Sequence, residues 1–203
     1  MKVLNYQDKE VVKILNDGFL LALPTETVYG LGVRWDSKKG YENLCLAKRR
    51  NPEKPIAIMC SKDFDLDKYF YINDNIRRVI DAFLPGPLTI LVKAKENTPF
   101  QTHLGTFIAG IRIPDKKELL DFLTDIKTPL QVTSANISGE KATGNYDEVV
   151  STFKDCPLVK GIIKGSCDSS IPTTVVDLTS SNPIIIREGQ ITLEAIEKVF
   201  KGE

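Results

Sequence analysis

The chain has 203 residues, 42% of them hydrophobic and 27% charged, which gives one sizeable core and excludes a disordered or disulfide-stapled chain. Lys plus Arg and Asp plus Glu each total 27, so the formal net charge is zero and any attraction for anions must be local. Apolar runs such as 19–23 and 184–186 fall far short of the ~20 residues that cross a bilayer.

The N-terminus, Met1-Lys2-Val3-Leu4-Asn5-Tyr6-Gln7-Asp8, has polar residues where a secretion signal needs its apolar stretch, so a cytoplasmic chain is expected. A helical pattern over 8–16 is closed by Gly18, strands follow at 19–23 and 28–33, and a second helical pattern ends at Lys48 before a strand at 56–59. A helix over 75–84 runs into Pro85-Gly86-Pro87, ahead of strands at 89–92 and 107–113. Pro114-Asp115 then opens a helix in which Asp115 and Glu118 have capping-box spacing, with Leu119, Leu120, Phe122 and Leu123 on one face. Strands at 130–133, 174–178 and 184–186 and a helix over 192–200 complete the chain. Some strands are joined by short turns and others by helices, so the sheet should be mixed, in a single α/β (α+β) domain spanning 1–203. No repeat or Ser/Gly linker divides it, and a second domain is not expected after the last helix.

Cys45, Cys60, Cys156 and Cys167 form no C-x-x-C pair, which argues against a zinc or redox motif and fits reduced thiols. His103 is the sole histidine, which counts against a multi-histidine metal site and against a histidine-based triad unless that residue is itself the base. Three clusters remain. Pro24-Thr25-Glu26-Thr27 is a polar insert between two apolar strands, followed by Gly30 and Gly32, and reads equally as a plain turn or a site. Lys48-Arg49-Arg50-Asn51-Pro52-Glu53-Lys54 ends a helical pattern, where cations complement the macrodipole, but Pro55 and the strand after it put Lys54 near a sheet edge suited to a polyphosphate. Thr133-Ser134-Ala135-Asn136 ends a strand in hydrogen-bonding residues that either cap a turn or contact a nucleotide. Arg112 and Arg187 sit inside apolar strands, where a wet-face arginine is ordinary, yet a guanidinium fork also suits a carboxylate or phosphate.

Taken in order, Pro24-Thr25-Glu26-Thr27-Val28-Tyr29-Gly30-Leu31-Gly32, Lys48-x-Arg50 with Lys54-Pro55, Pro85-Gly86-Pro87-Leu88-Thr89, Gly110-Ile111-Arg112-Ile113-Pro114, Thr133-Ser134-Ala135-Asn136, Thr174-Val175-Val176-Asp177 and Arg187-x-Gly189 resemble the YrdC-like family of threonylcarbamoyl-AMP synthases, nearly end to end. The resemblance implies a twisted mixed sheet with helices around a concave basic cavity. It also implies a reaction joining L-threonine, bicarbonate and ATP into L-threonylcarbamoyl-adenylate and pyrophosphate. The product would supply N6-threonylcarbamoyladenosine beside the tRNA anticodon through a tRNA threonylcarbamoyl transferase complex. Such chemistry needs positioning and charge neutralisation rather than an enzyme nucleophile, so one histidine suffices.

By motif position, the resemblance assigns Lys48, Arg50 and Lys54 to the phosphates, with Ser134, Asn136 and Thr143 in the nucleotide pocket and Arg187 closing it. Thr27, Arg112 and Thr173 would read L-threonine, Arg112 through its carboxylate. Mg²⁺ would arrive with ATP, held mainly by phosphates and not by side chains. Two positions depart from the family's commoner pattern: Thr173 replaces a serine and keeps the hydroxyl, while Met59 stands where several members have histidine and cannot donate a hydrogen bond. Two other readings stay open: a double-stranded RNA-binding module for ribosome maturation using the same cavity, with weak, salt-dependent affinity given the zero net charge, and a carbamoyl-adenylate transferring domain of the hydrogenase-maturation type.

Overall fold

The computed structural model describes residues 1–52, 56–96, 98–99, 107–169 and 171–203. Its ten described strands are β1 Lys2–Leu4, β2 Leu20–Leu23, β3 Gly30–Arg34, β4 Ile58–Met59, β5 Leu88–Lys93, β6 Ile108–Arg112, β7 Leu130–Ser134, β8 Val159–Ile163, β9 Thr174–Asp177 and β10 Ile184–Arg187. They form one sheet in the order β1-β8-β2-β3-β7-β4-β6-β5-β9-β10. Four neighbouring pairs are parallel and five antiparallel, the mixed sheet that alternating short and helical connections imply.

The described helices are α1 Lys9–Asn16, α2 Lys38–Lys48, α3 Leu66–Tyr69, α4 Asp74–Phe83, α5 Lys117–Ile126, α6 Tyr146–Phe153 and α7 Leu193–Lys201. Local chemistry sets their starts: Ser37 accepts from the Gly40 amide, Asn73 from Ile76, Asn145 from Asp147 and Glu148, and Thr192 from Ala195. No described helix is long and apolar enough to cross a membrane.

Alternation along the strands sorts the core into layers. Leu21, Leu23 and Leu130 face α1 and α5 through Val11, Ile14, Leu119 and Phe122. On the opposite face, Leu20, Ala22, Leu31 and Val33 meet Tyr41 and Leu44 of α2 and Val149 and Phe153 of α6. Ile90, Ile111 and Val176 meet Ile76 and Val79 of α4 and Ile196 and Phe200 of α7. Register aligns Met59 with both Arg112 and Leu130, and Leu91 with Gly110, so these residues share the α1/α5 face. Among the described residues no helix packs over β4, β6, β5 and β9, and that face encloses a cavity.

Three expectations change. The capping box at Asp115 and Glu118 is not formed: the helix starts at Lys117, Lys116 is extended at the N-cap with no side-chain cap, and its ammonium reaches Asp168 at 3.1 Å. The sequence patterns also give no signal for α3, α6 or the strands β1 and β8. Gly161 interrupts the apolar run of β8, which lowers strand propensity. The glycine is required by packing, since a Cβ there would lie 2.8 Å from Leu4 Cδ1 and 3.0 Å from Leu21 Cδ1. Finally, β3 begins at Gly30 rather than Val28, because the Tyr29 amide donates outside the sheet to the Thr143 carbonyl at 2.9 Å.

Candidate active site

The cavity on the uncovered face has a volume of about 270 Å³. Its floor is apolar, with Ile58 and Met59 of β4, Leu91 of β5, Val132 of β7 and Val175 of β9. Its polar wall carries three guanidiniums, Arg50, Arg112 and Arg187, and four hydroxyls, Thr89, Thr133, Ser134 and Thr173. None of the described residues lining it is acidic. Gly110 leaves room for the wall: a Cβ there would sit 3.1 Å from the Ala57 Cβ.

Each arginine arrives by a different device. Arg112 follows simple alternation, since Ile111 and Ile113 point into the opposite core and leave Arg112 on the cavity face. Arg187 does not: Ile185 pairs with Val176 and Arg187 with Val175, a register shift that puts a bulge at Ile186. Without it, Arg187 would share Ile185's side and pack against the core; the bulge re-aims it into the cavity beside Val175. Arg50 is placed by the end of α2, where Arg49 adopts the left-handed conformation at φ 52. The Arg49 amide donates to Leu46 O at 3.2 Å and the Arg50 amide to Cys45 O at 2.9 Å, a Schellman turn built without glycine.

Arg112 is 9% exposed and tied down on one side: its Nη2 lies 2.8 Å from Glu26 Oε1 and donates to Thr27 Oγ1 at 2.8 Å and Thr25 Oγ1 at 3.3 Å. Among the described residues its buried Nε has no hydrogen-bond partner. Arg187 donates from Nε to the Thr173 carbonyl at 3.0 Å and from Nη2 to the Thr173 hydroxyl at 2.8 Å, which in turn meets Thr89 Oγ1 at 3.0 Å. Burial, and after it the positive charge of Arg112, holds the Arg187 guanidinium below its usual pKa. Two cations thus face the same small space, and an anion between them would offset their mutual repulsion.

Lys48 stands behind the wall. Its ammonium donates to the Ser134 carbonyl, to Asn136 O at 2.5 Å and to Asn136 Oδ1 at 3.4 Å, while its own carbonyl accepts from Ser138 N at 2.9 Å. Burial, and secondarily Arg50, pushes its pKa down to about 8. The Asn136 amide group donates to Ile137 O at 2.9 Å and Glu140 O at 2.8 Å, closing its own loop. Lysine and asparagine together brace the end of β7, from which Ser134 projects.

Of the residues singled out from the sequence, Arg50, Arg112, Ser134, Thr173 and Arg187 share the cavity wall and Met59 lies in its floor. Thr27 lies fully buried beneath Arg112, and Lys48 and Asn136 brace the loop. Thr143 accepts from the Asn145 amide at 3.0 Å ahead of α6 and is off the wall. Lys54 and His103 lie outside the described residues. The sequence reading left unassigned Glu26, Thr89 and Thr133. Their signal was present, as a carboxylate and two hydroxyls within or between apolar strands, but the partners of Glu26 and Thr89, Arg112 and Thr173, come from distant segments.

The family model of the Sua5, YciO and YrdC proteins, described as telomere recombination, matches residues 13–189. A Methanocaldococcus jannaschii protein provisionally named as a threonylcarbamoyl-AMP synthase is 33% identical over 198 residues, covering 97% of this chain and 90% of that one. The threonylcarbamoyl-AMP synthase of Pyrococcus abyssi is 30% identical over 190 residues, covering 92% of this chain; the chain spans 55% of that longer relative. The crystal structure of P. abyssi Sua5 complexed with L-threonine superposes with a TM-score of 0.85 at 30% identity, covering 94% of this chain and 56% of that one. With a fold and near-complete coverage in common, the chain belongs to the Sua5/YciO/YrdC family.

Proposed function

We propose that this chain is an L-threonylcarbamoyladenylate synthase, a nucleotidyltransferase that forms threonylcarbamoyl-AMP and pyrophosphate from L-threonine, bicarbonate and ATP. The observation that carries the reading is the convergence of Arg50, Arg112 and Arg187 on one cavity whose described lining holds no carboxylate. Such a wall suits a substrate set bearing a triphosphate and a carboxylate, and the named activity and L-threonine complex of the P. abyssi relative support the same set.

The chemistry balances without a covalent enzyme intermediate. The deprotonated threonine amine attacks bicarbonate, a C–N bond forms and water leaves, giving a carbamate. A carbamate oxygen then attacks the α-phosphorus of ATP in line, and the bond to the bridging oxygen of the β-phosphate breaks as pyrophosphate departs. Positioning and charge neutralisation supply the catalysis. Arg112 takes the threonine carboxylate, with Thr27 beneath it and Thr173 beside it. Arg50 and Arg187 take phosphates, with Lys54 joining them by its place in the family motif, and Ser134 contacts the nucleotide. Lys48 and Asn136 act through the loop they brace, and Thr143, off the described wall, joins the nucleotide pocket only by its place in the family motif. The described wall offers hydroxyls and no carboxylate, so it would fit Mg²⁺ only as an ion carried on the triphosphate, with hydroxyls such as those of Thr133 and Ser134 available to it. When bound, it neutralises phosphate charge.

The product would pass, in the cytoplasm, to a tRNA threonylcarbamoyl transferase complex. Double-stranded RNA binding is not favoured, because duplex recognition spans about 16 base pairs of surface and this site is a cavity of about 270 Å³. Pyrophosphate release by purified protein tests the proposal. Release that requires L-threonine and bicarbonate, falls when serine replaces threonine, and accompanies an adenylate seen by mass spectrometry is the expected result. Release indifferent to threonine, or none, overturns it.

A further inference from the structure

We propose that Glu26 is a positioning residue for substrate recognition, acting through Arg112 from behind the cavity wall. The inference rests on Arg112 as the carboxylate-binding group of the proposed reaction. Glu26 is 9% exposed and does not line the cavity, so it cannot stand in the path of an anionic substrate. Its Oε1 approaches Arg112 Nη2 to 2.8 Å, and among the described residues neither carboxylate oxygen makes an aligned hydrogen bond. A buried carboxylate with no other hydrogen bonds is retained at a cost, and the group that compensates it is the guanidinium.

The neighbours of Glu26 give the arrangement its direction. Thr25 Oγ1 donates to the Val28 carbonyl at 2.8 Å, which uses its single proton, so the Thr27 hydroxyl 2.9 Å away is the donor between the two threonines. The Thr27 oxygen then accepts from Arg112 Nη2. Three consecutive residues of one turn therefore converge on a single guanidinium nitrogen, two as neutral acceptors and Glu26 as the charge. Arg112 also opposes Arg187 across the cavity, and Glu26 offsets that repulsion without competing for the substrate. Removing the charge leaves a buried arginine drawn toward any phosphate in the same cavity, so recognition of the carboxylate suffers while the phosphate subsite stands.

The test compares Glu26→Gln, which keeps shape and removes charge, with Glu26→Asp, whose shorter arm opens the 2.8 Å contact. L-threonine and ATP binding are read separately by titration calorimetry, alongside the KM for each in pyrophosphate release. Loss of one charge-assisted contact predicts about a tenfold or greater rise in the Kd and KM for threonine in Glu26→Gln, less in Glu26→Asp, with ATP binding within about twofold of wild type. In an Arg112→Met background, Glu26→Gln should have no further effect on threonine binding, because its route is gone. Unchanged threonine binding in a folded Glu26→Gln protein overturns the inference. So does an equal rise in the Arg112→Met background, which would mean direct contact with the substrate amine, or equal losses for threonine and ATP, which would mean a merely structural role. Wild-type protein that binds threonine but releases no pyrophosphate counts against the reaction proposed above and leaves this inference to the calorimetry.

Discussion

Arg112 and Lys48 show how far a residue's type is from its task. Both are buried cations at apolar positions, yet Arg112 turns a face to the cavity while Lys48 gives its ammonium to three oxygens of the Ser134–Asn136 segment. Arg112→Ala should raise the KM for threonine about 10- to 100-fold, the scale of a lost charge-assisted hydrogen bond, and leave that for ATP nearly unchanged. Steady-state kinetics with each substrate varied in turn checks it. For Lys48 the expectation concerns pH. Its folded pKa, about 8, lies below the ordinary lysine value of 10.5, so between these values the unfolded state binds more protons and native stability rises with pH. Denaturant unfolding of wild type and Lys48→Met at pH 7.5 and pH 9.5 should show the difference between them moving in wild type's favour at the higher pH. A difference independent of pH would contradict the assignment.

At the scale of elements, the ends of α2 and β10 aim the site. The Schellman turn at Arg49 and the bulge at Ile186 both break local regularity to swing the following arginine into the cavity. Gly189 holds the second device in place. A Cβ there would meet the Thr174 amide nitrogen at 2.3 Å, the Thr173 carbonyl carbon at 2.6 Å and the Pro172 carbonyl oxygen at 2.7 Å, all backbone, so no side-chain rotation relieves it. Gly189→Ala should cost about 1–3 kcal/mol of stability through overpacking and reduce turnover by displacing Thr173 and Arg187 together. Thermal unfolding and pyrophosphate release would both register the change. By contrast, Arg50→Ala removes a cavity group without touching a core and should abolish adenylate formation with an unfolding midpoint close to wild type. The same is expected of Lys54→Ala. Near-normal turnover in both variants would remove them from the phosphate set.

Across the whole molecule, a neutral chain concentrates three positive groups in one cavity by covering one face of the sheet unevenly: α1 and α5 pack over one end, and among the described residues no helix packs over the other. Because the charge is local, double-stranded RNA should not compete with ATP at physiological salt, which a filter-binding assay with labelled ATP would show. The strands around the site, the closing helix and the mixed character of the sheet were legible in the sequence, because alternation, caps and Gly/Pro punctuation are local. The side of β6 on which Arg112 lies was legible for the same reason, opposite its flanking core isoleucines, but its task was not: like Arg187 it read as an ordinary wet-face arginine. What the sequence left open depended on contacts between distant segments. β1 is only three residues long and β8 is interrupted by Gly161, and both exist as strands through each other and β2. Arg187 was indistinguishable from a wet-face arginine until the bulge was seen. Glu26 had no visible partner, because its partner lies on β6. The family motifs named the residues near the chemistry. Only the tertiary structure separated the cations on the wall from the one that braces it, because burial and hydrogen-bond partners are properties of packed surfaces and not of residue type.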